Sequence, residues 1–524
     1  MQKEFNITGW CHPKRHYRAD ISTKVEQVLQ MIYQGNYFAI NRPWQFGKTT
    51  MLRTIDQTLS QSAEWLVFSI SFEGISSKNY QEEDNFCASF LHLLYKQMVE
   101  KDANDLADFI EREKVIVTNL TVLSDFITRL VHQTNKKLVL LIDEIDKSSN
   151  NQLFLDFLGI LRSKFLERDL KTEQTFHSVI LTGVHDIKTL KIKISANTES
   201  KLNSPWNIAT DFRVAMELQV AEIIPMLEEY ASNEQIAVNV REVAEQLFYY
   251  TSGYPFLVSH LCKIIVEEVL PDKAEKTVGS AEVTHATELL IQRTNSNFDS
   301  LKKNLANYPK LYQLAYNVAV NSAHFPFNVH QPTIELGVIY GVFGKSPKGQ
   351  LQIHNRIYRE IIYDFMSLPL LEEVDLDNYL YQPSYTLPEN RLNMEKVVLR
   401  FQDLLKEQYS KKDRDFVERQ GRLLFLAYLK PILNGSGFSF KEPQISEEKR
   451  IDIAITFFQY QYVVELKIWR GKKAHEEGLI QLANYLEKQG LDKGYLVIFD
   501  QRVKKSWEKA WVKVGNKRIF AVWV

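Results

Sequence analysis

Two groups of residues in this sequence have the types and spacing that phosphate chemistry requires. The first is Gly47-Lys48-Thr49, which follows the apolar run YFAIN (37–41) and precedes a helical pattern. A turn in that context presents successive backbone N–H groups to a phosphate at a helix N-terminus. Lys48 would reach the β and γ phosphates, the Thr49 hydroxyl would hold Mg2+, and Thr50 extends the set. About ninety-five residues further on, LVLLIDEIDK carries Asp143 and Glu144 at the end of an apolar run. Of these carboxylates the first would support the Mg2+ shell and the second would polarise an attacking water. Thr182, closing SVILTG, either meets the γ-phosphate or that water, or serves as a helix cap or turn.

The second group lies near the C-terminus. Asp452 opens the strand-like run RIDIAITF, and Glu465 and Lys467 close QYVVELKIW. Alternation along a strand puts Val463, Glu465 and Lys467 on one face. A hairpin around FQYQ (458–461) would bring Asp452 close to both. Two carboxylates and a lysine so gathered can hold one or two Mg2+ ions, or Mn2+, and orient a water for phosphodiester hydrolysis. Lys467 would position or deprotonate that water.

Elements of a particular kind must position these groups. In the first third, helical periods (22–34, 48–60, 82–113, 119–134, 152–167) alternate with apolar runs at 37–41, 66–72, 137–142 and 178–182. This pattern predicts βαβ units and a parallel sheet with its ligand at the carboxyl ends of the strands, an α/β fold. Residues 211–295 read as helical, and 298–370 as short helices followed by two short strands. The acidic, Pro-interrupted stretch 371–392 reads as a linker. A helix, three strand-like pieces, a helix near 474–489 and the strand GYLVIFD follow it.

Composition narrows the classes. Across 524 residues, 64 Lys and Arg balance 65 Asp and Glu, for a net charge of −1, and 45% of residues are hydrophobic. A chain of that make-up is globular throughout, not disordered or fibrous, and long enough for about three or four domains. The balance conceals a division: residues 401–524 hold 23 basic and 16 acidic side chains, leaving 41 basic and 49 acidic for residues 1–400. A basic C-terminal part suits a phosphate backbone, and the acidic share makes residues 298–370 a poor main DNA-binding surface. Residues 500–524, with 7 basic and 2 acidic side chains around Trp507 and Trp511, read either as a nucleic-acid surface or as a closing amphipathic element. Cys11, Cys87 and Cys262 are far apart and flanked by no second ligand, which points to a reducing compartment and no zinc site. Neither a signal-like N-terminus nor an 18-residue apolar span is present, so a soluble, cytoplasmic protein with no membrane association is expected.

NYFAINRPWQFGKTT, LIDEID, LTGVHDI, SPWNIATDF and YTSGYPFLV together resemble the bacterial AAA-like ATPase family over roughly residues 5–365. In that family Arg-Pro stands where the usual loop has its first Gly, which accounts for Arg42. Gly253-Tyr254-Pro255 is similar to the GxP motif of the related STAND NTPases, whose proline lies against the nucleotide base; a helix-terminating turn is the other reading. The resemblance implies ATP and Mg2+, a core at 1–210, a helical lid at 211–297, a winged helix at 298–370 and a linker at 371–399. It gives no clear arginine finger; Arg162 is a candidate, or part of a solvated helix face.

Residues 400–524 resemble the PD-(D/E)XK nuclease superfamily, with a restriction-endonuclease-like α/β fold. Asp452 and Glu465-x-Lys467 match its core. Glu418 stands where the family places a helical glutamate, and Gln481 and Tyr485 match its QxxxY helix, or form a half-buried helix face. The expectation is an ATP-binding and ATP-hydrolysing protein that gates or positions a Mg2+-dependent nuclease. Its partner would be nucleic acid, DNA by analogy, with a role in defence against foreign DNA. A homo-oligomer through the ATPase domain is compatible with the resemblance, and no activating partner is identifiable. The competing expectations are a STAND-like switch whose C-terminal domain binds nucleic acid without cutting it, and an ATP-driven translocase or repair factor with an accessory nuclease.

Overall fold

The computed structural model describes residues 2–148, 151–168, 173–184, 206, 208–320, 323–373, 385–411, 414–433, 437–440, 453–457, 459–469, 471–500 and 507–524. The chain divides into two compact units, residues 1–314 with 324–358, and residues 315–323 with 359–524.

The first unit is built around a parallel sheet. Its strands are β1 (Tyr37–Asn41), β2 (Trp65–Ser71), β3 (Lys137–Asp143) and β4 (Ser178–Gly183), in the order β1-β4-β3-β2. Helix α1 (Ser22–Tyr33) precedes β1 and α2 (Lys48–Leu59) leads from it toward β2. Between β2 and β3 run α3 (Glu83–Glu100), α4 (Asn104–Glu113) and α5 (Leu120–His132), and α6 (Gln152–Glu167) follows β3. Strand β3 is buried from Leu138 to Asp143 and β4 along its whole length, because helices cover both faces. Where the sequence reads one helix over 82–113, the chain breaks at Asp102, which takes a left-handed φ of 55°. The break lets Leu106 and Phe109 turn into the same apolar core as Phe86, Phe90 and Leu94.

Helices α7 (Val220–Glu234), α8 (Val240–Thr251), α9 (Pro255–Ile264) and α10 (Ser280–Ile291) follow, with the two-residue strands β5 (Ala237–Val238) and β6 (Thr277–Val278) pairing between them. Pro255 opens α9 at a position where the missing N–H costs nothing. Next come α11 (Ser296–Asn307), α12 (Pro309–Ala319), α13 (Pro332–Ile339), the hairpin β7 (Phe343–Lys345) with β8 (Leu351–Ile353), and α14 (Arg356–Glu373). Short helices followed by two short strands are the arrangement read from residues 298–370.

The stretch read as a linker is partly structured. Helix α14 runs to Glu373, residues 374–384 lie outside the described residues, and β9 (Thr386–Leu387) pairs with β10 (Arg391–Leu392). Leu392 is buried and its N–H donates to the Tyr462 hydroxyl at 2.8 Å, a contact within the second unit.

In the second unit, α15 (Met394–Lys411) and α16 (Arg414–Leu433) are followed by β11 (Gly437–Phe440), β12 (Ile453–Phe457), β13 (Tyr460–Ile468), α17 (Lys472–Lys488), β14 (Lys493–Phe499), β15 (Lys509–Val514) and β16 (Lys517–Trp523). The sheet order is β11-β12-β13-β14-β16-β15, parallel at β13–β14 and β14–β16 and antiparallel elsewhere. Val464, Tyr495, Phe520 and Val522 face one core with Phe401 and Tyr428. Val463, Leu496, Ile519 and Ala521 face another with Leu482 and Leu486 of α17. The residues beyond 508 are therefore strands that complete the sheet; the basic, Trp-containing composition concealed their alternation.

Candidate nucleotide and nuclease sites

The carboxyl ends of β1, β3 and β4 converge. Their register pairs Ile40 with Thr182, Asn41 with Gly183, and Ile142 with Leu181, so Asn41, Asp143 and Thr182 end at one level. From there the chain enters the loop 42–47, which turns through left-handed Gln45 (φ 57°) and Gly47 (φ 83°) into α2. Buried Lys48 extends back over the loop, and its Nζ donates to the carbonyls of Arg42 and Pro43, both at 2.9 Å. Burial pushes the lysine below its usual range, opposed by the charge of Glu144.

Asp143 is the centre of the site. Its Oδ2 accepts from the Thr49 hydroxyl at 2.7 Å, while Oδ1 accepts from the Thr182 hydroxyl and, at 3.0 Å, from the Glu144 N–H. Thr182 thus touches Asp143, a third position beside the phosphate contact and the cap or turn considered above. Glu144 itself is left-handed (φ 57°, ψ 49°), a backbone conformation that costs energy and clusters at functional sites. Burial, with Asp143 as the next cause, raises its carboxyl above the usual range. A threonine hydroxyl and a carboxylate held 2.7 Å apart form an oxygen donor set suited to Mg2+ beside a phosphate.

Beside the loop lies a cavity of about 270 Å³, lined by Gly47, Lys48, Thr49, Thr50, Glu144 and Pro255 among the residues singled out from sequence. Its other walls come from residues 6–21, from Met216, Leu218 and Met226, and from Phe256 and Val258. Thr50 is engaged with the N-terminal segment, its Oγ1 accepting from the Cys11 N–H at 3.2 Å. Gly253 and Arg42 are outside this lining. Gly253 (φ 74°) lies where a β-carbon would fall 2.0 Å from the Leu218 carbonyl oxygen, so the helical segment can cross there only over glycine. The Arg42 guanidinium donates to the carbonyls of Asn41 (2.9 Å) and Val214 (3.0 Å) and lies 5.3 Å from the Phe212 ring centre. Arg162 is on α6, with Nε buried and without a hydrogen-bond partner among the described residues.

Sequence reasoning did not single out the contacts that hold the loop from outside. The Tyr254 hydroxyl donates to the Trp44 carbonyl at 2.5 Å, and its buried ring packs edge-on to Phe46 at 4.7 Å. Buried His354 lies 5.8 Å from the same Phe46 ring, and Gly341 approaches Pro43. Tyr358 donates to Asn297 at 2.6 Å, and Asn297 donates in turn to the Tyr254 oxygen at 3.5 Å. Tyr254 was visible as the middle of a motif; the other partners lie forty or more residues away and carry no local signal.

In the second unit, Glu465 is 2% exposed on β13, and its Oε1 pairs with Lys467 Nζ at 2.7 Å on the same strand face. That face looks toward α17, where Tyr485 is buried and Gln481 is exposed. Gly478 of α17 also lies close to the Lys467 side chain. Strand β12 is antiparallel to β13, with Ile453 opposite Val464. Asp452 lies outside the described residues; Glu418 falls on α16, with its side chain outside them. Among the described residues no cluster of three acidic, His or Cys side chains forms a metal site, and no helix is long and apolar enough to cross a membrane.

Comparison with known proteins gives matching assignments. A family model described as the AAA-like domain matches residues 17–331, and one described as the PD-(D/E)XK nuclease superfamily matches residues 437–510. A WD-repeat-containing protein of Synechocystis, itself uncharacterised, is 26% identical over 273 residues, 48% of this chain. The match spans 21% of that relative's length. Among solved structures, a Walker-type ATPase of Pyrococcus abyssi is 11% identical with a TM-score of 0.43, over 68% of this chain and 99% of that one. The ORC2 protein of Aeropyrum pernix is also 11% identical, with a TM-score of 0.37, over 70% and 97% of the two chains.

Proposed function

Because the chain belongs to the AAA-like domain family and carries a PD-(D/E)XK nuclease superfamily domain, we propose that ATP binding and hydrolysis in the first gate or position Mg2+-dependent phosphodiester cleavage by the second, with DNA as the substrate. The observation that carries the reading is the buried Glu465 carboxylate held 2.7 Å from Lys467 on the strand face that looks toward Tyr485. A carboxylate this enclosed beside an amine fits metal-assisted hydrolysis better than a solvated charge pair does. Asp452 and Glu465 would hold the ion, with Glu418, Gln481 and Tyr485 in support. Bound Mg2+ would supply Lewis-acid polarisation of the phosphoryl oxygens. Lys467 orients the attacking water.

At the other site, Lys48 binds the β and γ phosphates, Thr49 and Asp143 supply metal oxygens, and Glu144 orients water. Thr182 holds Asp143 in place. Pro255 and the apolar wall around Met226 and Phe256 receive the base. In domain terms we assign 1–210 to the ATPase core, 211–297 to a lid, 298–370 to a winged helix, 371–399 to a connector and 400–524 to the nuclease. Defence against foreign DNA is the cellular role we attach to this pair of activities, by analogy alone.

The test is plasmid and oligonucleotide cleavage by the full chain with Mg2+, with and without ATP, beside Asp452→Ala and Lys467→Ala. Cleavage lost in both variants supports the nuclease. A second reading, a nucleotide-dependent switch whose C-terminal domain binds without cutting, gains from the contacts of Tyr254, His354 and Gly341 on the phosphate loop. Absence of cleavage with every nucleic acid, together with an ATP-dependent change of oligomeric state, would favour it.

A further inference from the structure

The two faces of the β14–β16–β15 sheet edge treat their cations differently. On the face toward α17, Lys517 is paired with Glu487 at 2.9 Å and Asp492 at 3.5 Å. On the opposite face, Arg518 stands beside Lys493 of β14 on one side and Lys513 of β15 on the other, in direct register. All three are exposed, and none has a carboxylate within ion-pair distance among the described residues. Neighbouring strands are about 4.8 Å apart, so three positive charges lie within about 10 Å. Like charges directly opposite one another destabilise a sheet. Lysines on an edge strand are a common guard against unwanted pairing, which accounts for Lys513 on β15. It does not account for Lys493 and Arg518, whose strands are interior to the sheet. The row is finished by Trp511, one register step along the same face, with Arg518 4.6 Å and Lys493 5.8 Å from its ring centre.

We propose that Lys493, Arg518, Lys513 and Trp511 form a second nucleic-acid contact, which grips the phosphate backbone on the sheet face opposite Glu465. The occupant follows from charge complementarity: a polyanion with closely spaced charges can neutralise the whole row, and an aromatic flanked by cations is the recurring companion of such a backbone groove. A contact there would hold substrate outside the catalytic face, which makes it a positioning surface for the nuclease. The inference rests on the nuclease reading for its purpose but is tested separately from it.

The experiment measures binding of a fluorescein-labelled DNA 30-mer, single-stranded and duplex, to the full chain across a salt series, with Ca2+ in place of Mg2+. The Lys493→Gln, Arg518→Gln, Lys513→Gln triple variant is compared with wild type and with Arg518→Lys. Each phosphate contact contributes about 0.9 to the slope of log affinity against log salt for duplex and about 0.7 for single strands. The triple variant should therefore lower the slope by about 2 to 3, and Arg518→Lys should leave it within about 0.5. An unchanged melting temperature shows that the triple variant folds. An unchanged slope in that variant overturns the proposal, as does wild-type binding to neither DNA form. Cleavage with Mg2+ is scored in parallel, so an inactive chain that still shows the slope change refutes the nuclease reading and leaves this contact standing.

Discussion

Replacing Gly253 by alanine should be among the most damaging single-methyl changes in the first unit. Gly253 has φ 74°, and a β-carbon there would lie 2.0 Å from the Leu218 carbonyl oxygen and 2.9 Å from both its carbonyl carbon and its nitrogen. The contacted atoms are backbone, so no side chain can swing aside. Moreover the Leu218 N–H donates to the Gly253 carbonyl at 2.8 Å, which locks the two segments at this separation. A left-handed backbone costs an L-residue about 1–2 kcal/mol, and forced overpacking adds about 1–3 kcal/mol. The sum, about 3 kcal/mol, corresponds to a fall of roughly 4 °C in the melting transition of a unit this size, at about 2.1 cal/mol/K of unfolding entropy per residue. Leu218 leads into α7 and Pro255 begins α9, so relief of the clash must shift wall residues of the cavity, and ATP affinity should fall about tenfold, or 1.4 kcal/mol. The control is Ser252→Ala: Ser252 is also left-handed (φ 49°) but already carries a β-carbon, so the variant should stay within about 0.5 kcal/mol of wild type. Differential scanning calorimetry and fluorescent-nucleotide titration of the full chain read both quantities. A Gly253→Ala protein that melts within 1 °C of wild type and binds ATP normally would refute the reasoning.

Other expectations follow from the same geometry. Asp143→Asn should weaken Mg2+-dependent nucleotide binding about tenfold or more, since both threonine hydroxyls donate to this carboxylate and an amide nitrogen cannot accept; a Mg2+ titration with unchanged midpoint would contradict this. Tyr254→Phe keeps the ring packing but strips the Trp44 carbonyl of its donor, so nucleotide affinity should drop about 5–10-fold, read by the same titration. Glu144→Gln should abolish ATP turnover while raising stability at neutral pH. The folded carboxyl has a raised pKa, so the native state holds its proton longer than the unfolded chain, and wild-type stability falls as pH rises through the folded pKa. The variant's advantage should therefore vanish below the ordinary glutamate pKa of 4.5, and a constant advantage across pH would exclude this origin.

Legibility in the sequence followed the range of the interactions. The four apolar runs of the first third are buried strands, and their alternation with helices predicts a parallel sheet with its ligand at the carboxyl ends, where Asn41, Asp143 and Thr182 stand. The pairing of Glu465 with Lys467 was likewise readable, because two residues apart on a strand is a fixed geometry. What escaped is non-local or two-sided. The helix break at Asp102 depends on the core that Leu106 and Phe109 join. The β9–β10 turn looked like a linker because acidic, Pro-containing composition says nothing of the Tyr462 hydroxyl awaiting the Leu392 N–H. Strand β15 was hidden because its lysines mark the open face of an edge strand, where polarity mimics a loop.

The residue that departs most from the usual phosphate-loop pattern shows how such a departure is absorbed. An arginine in place of glycine at position 42 adds a long cationic side chain at the end of β1, where it could crowd or repel its surroundings. Here it does neither. Its N–H continues the β1–β4 ladder to the Gly183 carbonyl at 3.2 Å, which is ordinary strand geometry that any residue can adopt. Its guanidinium turns away to Val214 and Phe212, so that an incoming segment of chain fastens to the first residue of the loop. The left-handed conformations that the loop requires fall instead at Gln45 and Gly47, next to Lys48. Under the proposed function the wrapping of phosphate would therefore depend on the end of the loop, and its beginning is free to serve as a structural pin. Arg42→Gly should accordingly cost stability through the lost Val214 contact while leaving the lysine's two carbonyl partners in place, and Gly47→Ala should do the reverse, impairing nucleotide binding first.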